Sequence, residues 1–171
     1  MNAVAHVPTL TVRREIAAPA AELFDAWLDP AKLSVWMRPG DTQNSDVKID
    51  PRVGGEFEIV MHTPKGSVPH TGAYQEITRP RRLVFTWNSP YAGNHGSLVT
   101  VDFNAKGRST EIVITHERLP SAEMVTAHTG GWTSILETIA QAYGEPAASP
   151  PQRRHAHLSL QRERHLLGHL V

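Results

Sequence analysis

Apolar side chains recur at every second position through much of the chain, in short segments that turn residues separate. Successive side chains of a β-strand point to opposite faces, so this period predicts half-buried strands rather than helices. We predict strands at residues 9–17, 47–50, 56–61, 71–77, 83–87, 98–103 and 111–117. The segments 64–69 and 88–96 contain clustered proline, glycine and asparagine, and are predicted to be loops.

Three segments have the helical period instead. Apolar residues spaced three and four positions apart predict a short helix over residues 20–28. A second short helix is predicted to begin at Pro30, because proline is favoured at the first helical position. The longest pattern covers residues 121–143, with apolar positions at i, i+3, i+4 and i+7. Consecutive antiparallel strands, with helices segregated to the two ends of the chain, predict an α+β fold rather than a parallel α/β fold.

The composition excludes several classes of chemistry. The chain has no cysteine, which excludes disulfides, thiolate metal sites and cysteine nucleophiles. Its 17 basic and 17 acidic side chains balance, without the basic field that binding to nucleic acid requires. The N-terminal residues lack the basic and apolar regions of a signal peptide, and no apolar run is long enough to cross a bilayer. We therefore expect a cytoplasmic protein that neither spans a membrane nor binds nucleic acid.

Known catalytic and cofactor motifs are missing from the sequence. Residues 93–97 are glycine-rich, but they lack the lysine of a phosphate-binding loop and a following helix. Neither the Gly-x-Ser-x-Gly turn of hydrolases nor the His-Glu-x-x-His zinc motif occurs. Glu56 and Glu58 alternate with apolar residues and are expected on a solvated face. The sequence therefore predicts no cofactor, no metal and no identifiable catalytic residue.

The chain divides into an N-terminal segment (residues 1–8), one domain (residues 9–144) and a tail (residues 145–171). The tail begins with an Ala/Pro-rich stretch that is typical of a linker, and it continues with residues rich in His, Arg and Leu. Within it, the pairs His155/His157 and His165/His169 have spacings that can place two imidazoles on one metal ion. Two ligands without a third make an incomplete site, so no metal is predicted there.

Several short motifs follow one another in the order known from one protein family. They are residues 23–30 (LFDAWLDP), 53–57 (VGGEF), 72–77 (GAYQEI), 83–87 (LVFTW), 99–103 (VTVDF), 115–117 (THE) and 130–132 (GGW). On these motifs the domain resembles the START/SRPBCC superfamily. Within it, the domain is similar to the family named after the C-terminal domain of the activator of heat-shock protein 90 ATPase.

This resemblance implies a helix-grip fold, in which a curved antiparallel sheet wraps around a long C-terminal helix and two short helices follow the first strand. In such folds an apolar cavity between sheet and helix is the usual place for a ligand. The long helix suits this arrangement, since it carries a wide apolar stripe between Met124 and Ile139. Gly130 and Gly131 interrupt that helix, although each glycine costs about 1 kcal/mol against alanine. We interpret them either as a close approach of helix to strand or as a bend that opens the cavity.

The residues expected to line the cavity are large or polar side chains on the faces that point inward. They are Trp36, Met61, Tyr74, Trp87, His116, His128 and Trp132. A buried imidazole can orient a ligand or act as a general acid or base near neutral pH. Because most buried polar groups are simply paired, we expect contact with a ligand rather than catalysis.

Three functions compete for this domain. The one we favour is a single-domain binding protein that holds a small hydrophobic or amphipathic ligand between sheet and helix. The second is a co-chaperone-like module with a chaperone as partner. Against it, the eukaryotic activator has a further N-terminal domain, and about eight residues precede the first predicted strand here. The third is a cyclase/aromatase- or hydrolase-like enzyme that uses His116, His128 or Tyr74. A homodimer is an additional assembly that the sequence allows.

Overall fold

The structure is a computed structural model that describes residues 8–144. The predicted linker and the histidine-rich tail lie outside the described residues, as does the N-terminal segment before Pro8.

The described residues form one antiparallel sheet and three helices. The strands are β1 (Thr9–Ile16), β2 (Asn44–Ile49), β3 (Glu56–Thr63), β4 (Gly66–Thr78), β5 (Arg82–Ser89), β6 (Gly93–Lys106) and β7 (Ser109–Glu117). The helices are α1 (Ala20–Ala26), α2 (Pro30–Trp36) and α3 (Ala122–Tyr143). The spatial order of the strands is β1-β7-β6-β5-β4-β3-β2, and every neighbouring pair is antiparallel. The predicted α+β class and helix-grip arrangement are confirmed.

The connection that contains α1 and α2 joins the two edges of the sheet. β1 pairs with β7, whereas β2 forms the opposite edge, so the chain crosses the whole sheet between its first two strands. Asp29 caps α2 by accepting a hydrogen bond from the backbone N–H of Ala31, and Pro30 occupies the first turn as expected. Ser121 caps α3 in the same way through the N–H of Met124.

The two predicted loops are shorter in the structure than the sequence indicated. β4 begins at Gly66 rather than near residue 71, because β3 and β4 meet in a tight hairpin whose last pair is Thr63 with Gly66. Pro69 lies inside this strand. β5 pairs with β4 only from Thr71 onward, so Pro69 stands where β4 has a single partner strand, a position at which proline is tolerated. Likewise, β6 begins at Gly93, within the second predicted loop.

The core lies between the inner face of the sheet and the helices. Alternate residues of β3, β5, β6 and β7 are buried on this face, as the period of two predicts. Phe57 and Phe85 pack edge to face with ring centroids 5.4 Å apart, and Phe24 packs on Phe103 at 5.3 Å. From α3, only the second half contributes buried residues, which are Trp132, Ile135, Leu136, Ile139 and Ala140.

Among the residues that the structure describes, no helix combines the length and the apolar character that a bilayer crossing needs.

Candidate ligand-binding cleft

A cleft with a volume of about 640 Å³ opens beside the first half of α3. Its other walls are the loop that follows α2, the hairpin end of β3 and β4, and the last part of β5. The lining residues are Pro39, Gly40, Asp41, Thr42, Met61, Thr63, Lys65, Val68, His70, Trp87, Tyr91, Ala127, His128, Gly130, Gly131, Trp132, Ser134 and Ile135. This is the space between sheet and helix in which the sequence predicts a ligand.

The glycine pair of α3 keeps the helix surface bare where it meets the cleft. A Cβ atom added to Gly130 would have no heavy atom within 4 Å, and one added to Gly131 would meet only the Cβ of Pro39, at 3.8 Å. The first interpretation of these glycines, a close approach of helix to strand, is therefore wrong. Their missing side chains leave room at the cleft instead.

Two indole rings form the apolar floor of the cleft. The rings of Trp87 and Trp132 have centroids 5.2 Å apart, and both side chains are buried. Tyr91 stands at the mouth with 56% of its surface exposed. An exposed aromatic ring above buried indoles is a surface that an apolar or aromatic molecule can cover.

His116 lies behind Trp132 in a hydrogen-bonded chain that determines its tautomer. The indole Nε1–H of Trp132 donates to Nδ1 of His116 over 3.1 Å, so Nδ1 is an acceptor. The proton of the neutral ring is then on Nε2, which lies 2.9 Å from the hydroxyl oxygen of Ser97. Ser97 in turn donates to the carbonyl of Trp87. Burial, with the neighbouring His128, lowers the pKa of His116 to about 3 and keeps the ring neutral.

His128 faces the cleft from α3 and is half-buried. Its Nδ1 lies 2.7 Å from the carbonyl oxygen of Met124, one turn earlier in the helix. A carbonyl can only accept, so Nδ1 carries the proton of the neutral ring. Burial lowers the pKa of His128 and favours that neutral form. The ring is perpendicular to that of His116, with centroids 5.1 Å apart.

His70 is a cleft residue that sequence reasoning missed. It is buried on β4, with its ring centroid 4.9 Å from that of Trp87 and its Nδ1 3.2 Å from the carbonyl oxygen of Ile59. Burial lowers its pKa to about 4. The alternation of β4 could have identified it, because His70 lies four residues before Tyr74 and therefore on the same face of the strand. The predicted strand begins only at residue 71, after a loop predicted to end at residue 69, and therefore left His70 outside the alternating segment.

Comparison with known proteins identifies the family. A family model described as activator of Hsp90 ATPase homolog 1-like protein matches residues 17–144. The chain belongs to this family. No curated protein matches the sequence.

Solved structures with the same fold include relatives from several organisms. A protein from Chromobacterium violaceum superposes with a TM-score of 0.70 at 23% identity, covering 80% of this chain and 97% of that one. An Hsp90 activator from Plasmodium falciparum superposes with a TM-score of 0.65 at 27% identity, covering 81% of this chain and 97% of that one. A protein from Arthrobacter aurescens gives 0.65 at 22% identity, over 83% and 89% of the two chains.

In this family member, the structure brings four of the seven predicted cavity residues to the cleft. These are Met61, Trp87, His128 and Trp132. His116 lies behind the wall, next to the lining residues Trp132 and His128, and does not itself line the cleft. Of the three residues named for catalysis from the sequence, only His128 therefore lines the cleft.

The remaining two predicted residues lie elsewhere in the core. Tyr74 borders a separate small cavity of about 20 Å³ between sheet and α2, where burial raises the pKa of its hydroxyl. Trp36 is buried at the end of α2 and packs on Tyr143, with ring centroids 6.2 Å apart. Neither residue is among those that line the cleft.

A polar chain on the outer face of the sheet is distinct from the cleft. Nδ1 of His62 lies 2.8 Å from the Ser67 hydroxyl oxygen, and its Nε2 lies 2.8 Å from a carboxylate oxygen of Asp46. The three side chains link β2, β3 and β4. These three side chains have the composition of a catalytic triad. Asp46 and Ser67 are exposed to solvent, however, whereas such triads work in a desolvated setting.

Proposed function

We propose that this chain is a single-domain binding protein for a small hydrophobic or amphipathic ligand, which it holds in the cleft beside α3. The observation that carries the proposal is the bare helix surface at Gly130 and Gly131, which lines the same cleft as the buried indoles of Trp87 and Trp132. The volume of about 640 Å³ falls within the range of small-molecule sites.

The chemistry of the walls supports an apolar or amphipathic guest. Burying apolar surface contributes about 25 cal/mol per Å², so aromatic walls supply most of the affinity. The neutral imidazoles of His70 and His128 add a few polar groups to an otherwise apolar surface. A charged ligand head can remain near the mouth, where Asp41 and Lys65 are exposed.

A substitution that fills the cleft tests this proposal. Gly131→Leu places a side chain in the open space, whereas Thr133→Leu adds the same side chain at an exposed position of α3 outside the cleft. Fatty acids, aromatic polyketides and a lipid extract are screened by thermal shift. We expect at least one class to raise the melting temperature of the natural protein and of Thr133→Leu, and to have no effect on Gly131→Leu. A screen without any shift, or an equal shift in Gly131→Leu, contradicts the proposal.

A second candidate is a co-chaperone-like module that binds heat-shock protein 90. Membership of the family and the 27% identity to the Plasmodium falciparum Hsp90 activator support it. A pull-down with the chaperone, followed by an assay of its ATPase rate, tests this role. Stimulation by this chain alone would rank it above the binding protein, and the absence of both association and stimulation would remove it. Cytoplasmic location and homodimer formation stay predictions, which cell fractionation and light scattering would test.

A further inference from the structure

We propose that the ligand of the cleft is a hydroxylated aromatic molecule, whose O–H donates a hydrogen bond to Nε2 of His128. This inference rests on the proposed function, a small molecule bound in the cleft, and names its chemical class. It follows from which ring nitrogen of His128 is free and from the shape of the surface around it.

The backbone determines which nitrogen of His128 is available. Nδ1 donates its proton to the carbonyl of Met124 over 2.7 Å. In the neutral ring, the other nitrogen therefore carries a lone pair and can only accept a hydrogen bond. Burial lowers the pKa of His128, which supports the neutral ring at physiological pH.

This acceptor is open to the cleft. Within the described residues, Nε2 of His128 has no hydrogen-bond partner, and it is not among the fully buried polar atoms that lack one. It therefore reaches open space, and the open space that His128 lines is the cleft. The neighbouring ring of His116 cannot serve a ligand in its place, because Trp132 and Ser97 occupy both of its nitrogens.

The surroundings of this acceptor favour a flat ring. Trp87 and Trp132 both line the cleft, with ring centroids 5.2 Å apart, and Gly131 leaves the adjacent helix surface without a side chain. An aromatic molecule gains contact area on such walls with little loss of conformational freedom. A ligand oxygen without a hydrogen, as in an ether, ketone or carboxylate, would face the lone pair of Nε2 and gain no hydrogen bond there.

A series of naphthalene derivatives tests separately whether the cleft binds aromatic molecules and whether a ligand hydroxyl strengthens that binding. Calorimetry at pH 7.5 measures the affinity of 2-naphthol, 2-methoxynaphthalene, naphthalene and 2-naphthoate for the natural protein. We expect 2-naphthol to bind roughly tenfold more tightly than 2-methoxynaphthalene, the factor that one hydrogen bond contributes. Equal affinity of these two compounds, or tightest binding of 2-naphthoate, overturns the assignment of a hydroxyl donor while leaving the binding function intact. If no member of the series binds, both the ligand class and the proposed binding of aromatic guests fail.

A matched pair of variants assigns the effect to His128. His128→Phe keeps an aromatic ring and removes the acceptor, and we expect it to abolish the preference for 2-naphthol over 2-methoxynaphthalene. His62→Phe makes the same change on the outer face of the sheet and should retain the preference. An unchanged preference in His128→Phe contradicts the proposal. If either variant fails to fold, the affinities of 2-naphthol and 2-methoxynaphthalene for the natural protein still test whether the ligand donates a hydrogen bond.

Discussion

The two halves of α3 belong to one continuous amphipathic helix and lie in different surroundings. The second half, from Trp132 onward, buries its apolar face against the sheet and the other helices. The first half, up to Gly131, has no buried residue and forms one wall of the cleft. A single apolar stripe is thus packed in the core along one part of the helix and borders an open cleft along the other.

This division separates the residues that hold the fold from those that shape the site. The same kind of substitution should therefore have different consequences in the two halves. Four predictions follow this comparison through α3, the packed sheet and the histidines around the cleft.

The largest difference should come from truncating one aliphatic or thioether side chain in each half. Ile139 is fully buried, so Ile139→Ala should lower the free energy of unfolding by about 2 to 5 kcal/mol. Met124 is only half-buried at the first turn, and Met124→Ala should cost below about 1 kcal/mol. Urea unfolding measures both values. Similar losses in the two variants would show that the first half of the helix is packed as firmly as the second.

The next largest effect concerns a glycine of the packed sheet. A Cβ atom at Gly72 of β4 would lie 1.9 Å from the carbonyl oxygen of Thr86 and 2.6 Å from the ring of Phe57. Gly72→Ala should therefore push β4 away from β5 and cost about 3 kcal/mol of stability. Chemical denaturation gives the value. A variant as stable as the natural protein would mean that the two strands separate more easily than their packing indicates.

Acid should destabilise the protein through the histidines around the cleft. Burial lowers the pKa of His116 to about 3 and of His70 to about 4, whereas in the unfolded chain each returns to about 6.5. Below about pH 6.5 the unfolded chain therefore binds protons that the folded chain does not. Stability present at pH 7 should be lost as the pH falls from 6.5 towards 4, with a slope approaching about 1.4 kcal/mol per pH unit for each histidine.

Unfolding at several pH values between 7.5 and 4.5 checks this dependence. His116→Gln removes one titrating group while it keeps an acceptor for the indole of Trp132, so its slope should be shallower. Stability that does not change between pH 7 and 5, or an unchanged slope in His116→Gln, would argue against neutral buried rings.

The smallest effect has the opposite sign to that at Gly72. Gly130 lies in the open half of α3, where an added Cβ meets nothing within 4 Å. Gly130→Ala should therefore raise the stability by about 1 kcal/mol through helix propensity alone. Thermal unfolding measures the change. A destabilised variant would mean that the glycine has a backbone role that its surroundings do not reveal.

The fold was largely predictable from the chain because its patterns are local and repeated. Alternation in β3, β5 and β7 identifies strands and their buried faces, and Asp29-Pro30 and Ser121 mark helix starts. Proline and glycine misled the prediction where tertiary pairing overrides them. Pro69 signals a loop by its composition, yet it is accommodated in β4 because only one neighbouring strand reaches it.

The cleft was predictable only in part, for a physical reason. Alternation along the strands for Tyr74 and His116, and helical spacing for Trp36, correctly indicate inward-facing side chains, and all three are buried. Whether an inward side chain lines open space or packed core depends on which other elements cover it in the tertiary structure, which no local pattern encodes. His70 was missed for the same reason, since its place in β4 depends on the pairing of β3 with β4.

The sequence by itself determined the order of strands and helices, the inward faces and the family, because these follow from side-chain periodicity and backbone chemistry along the chain. Only the tertiary structure decided where α3 leaves the core, which histidines line the cleft and which nitrogen of His128 is free. Those properties depend on contacts between residues far apart in the chain, such as Trp132 with His116, and on the space that two glycines leave unfilled.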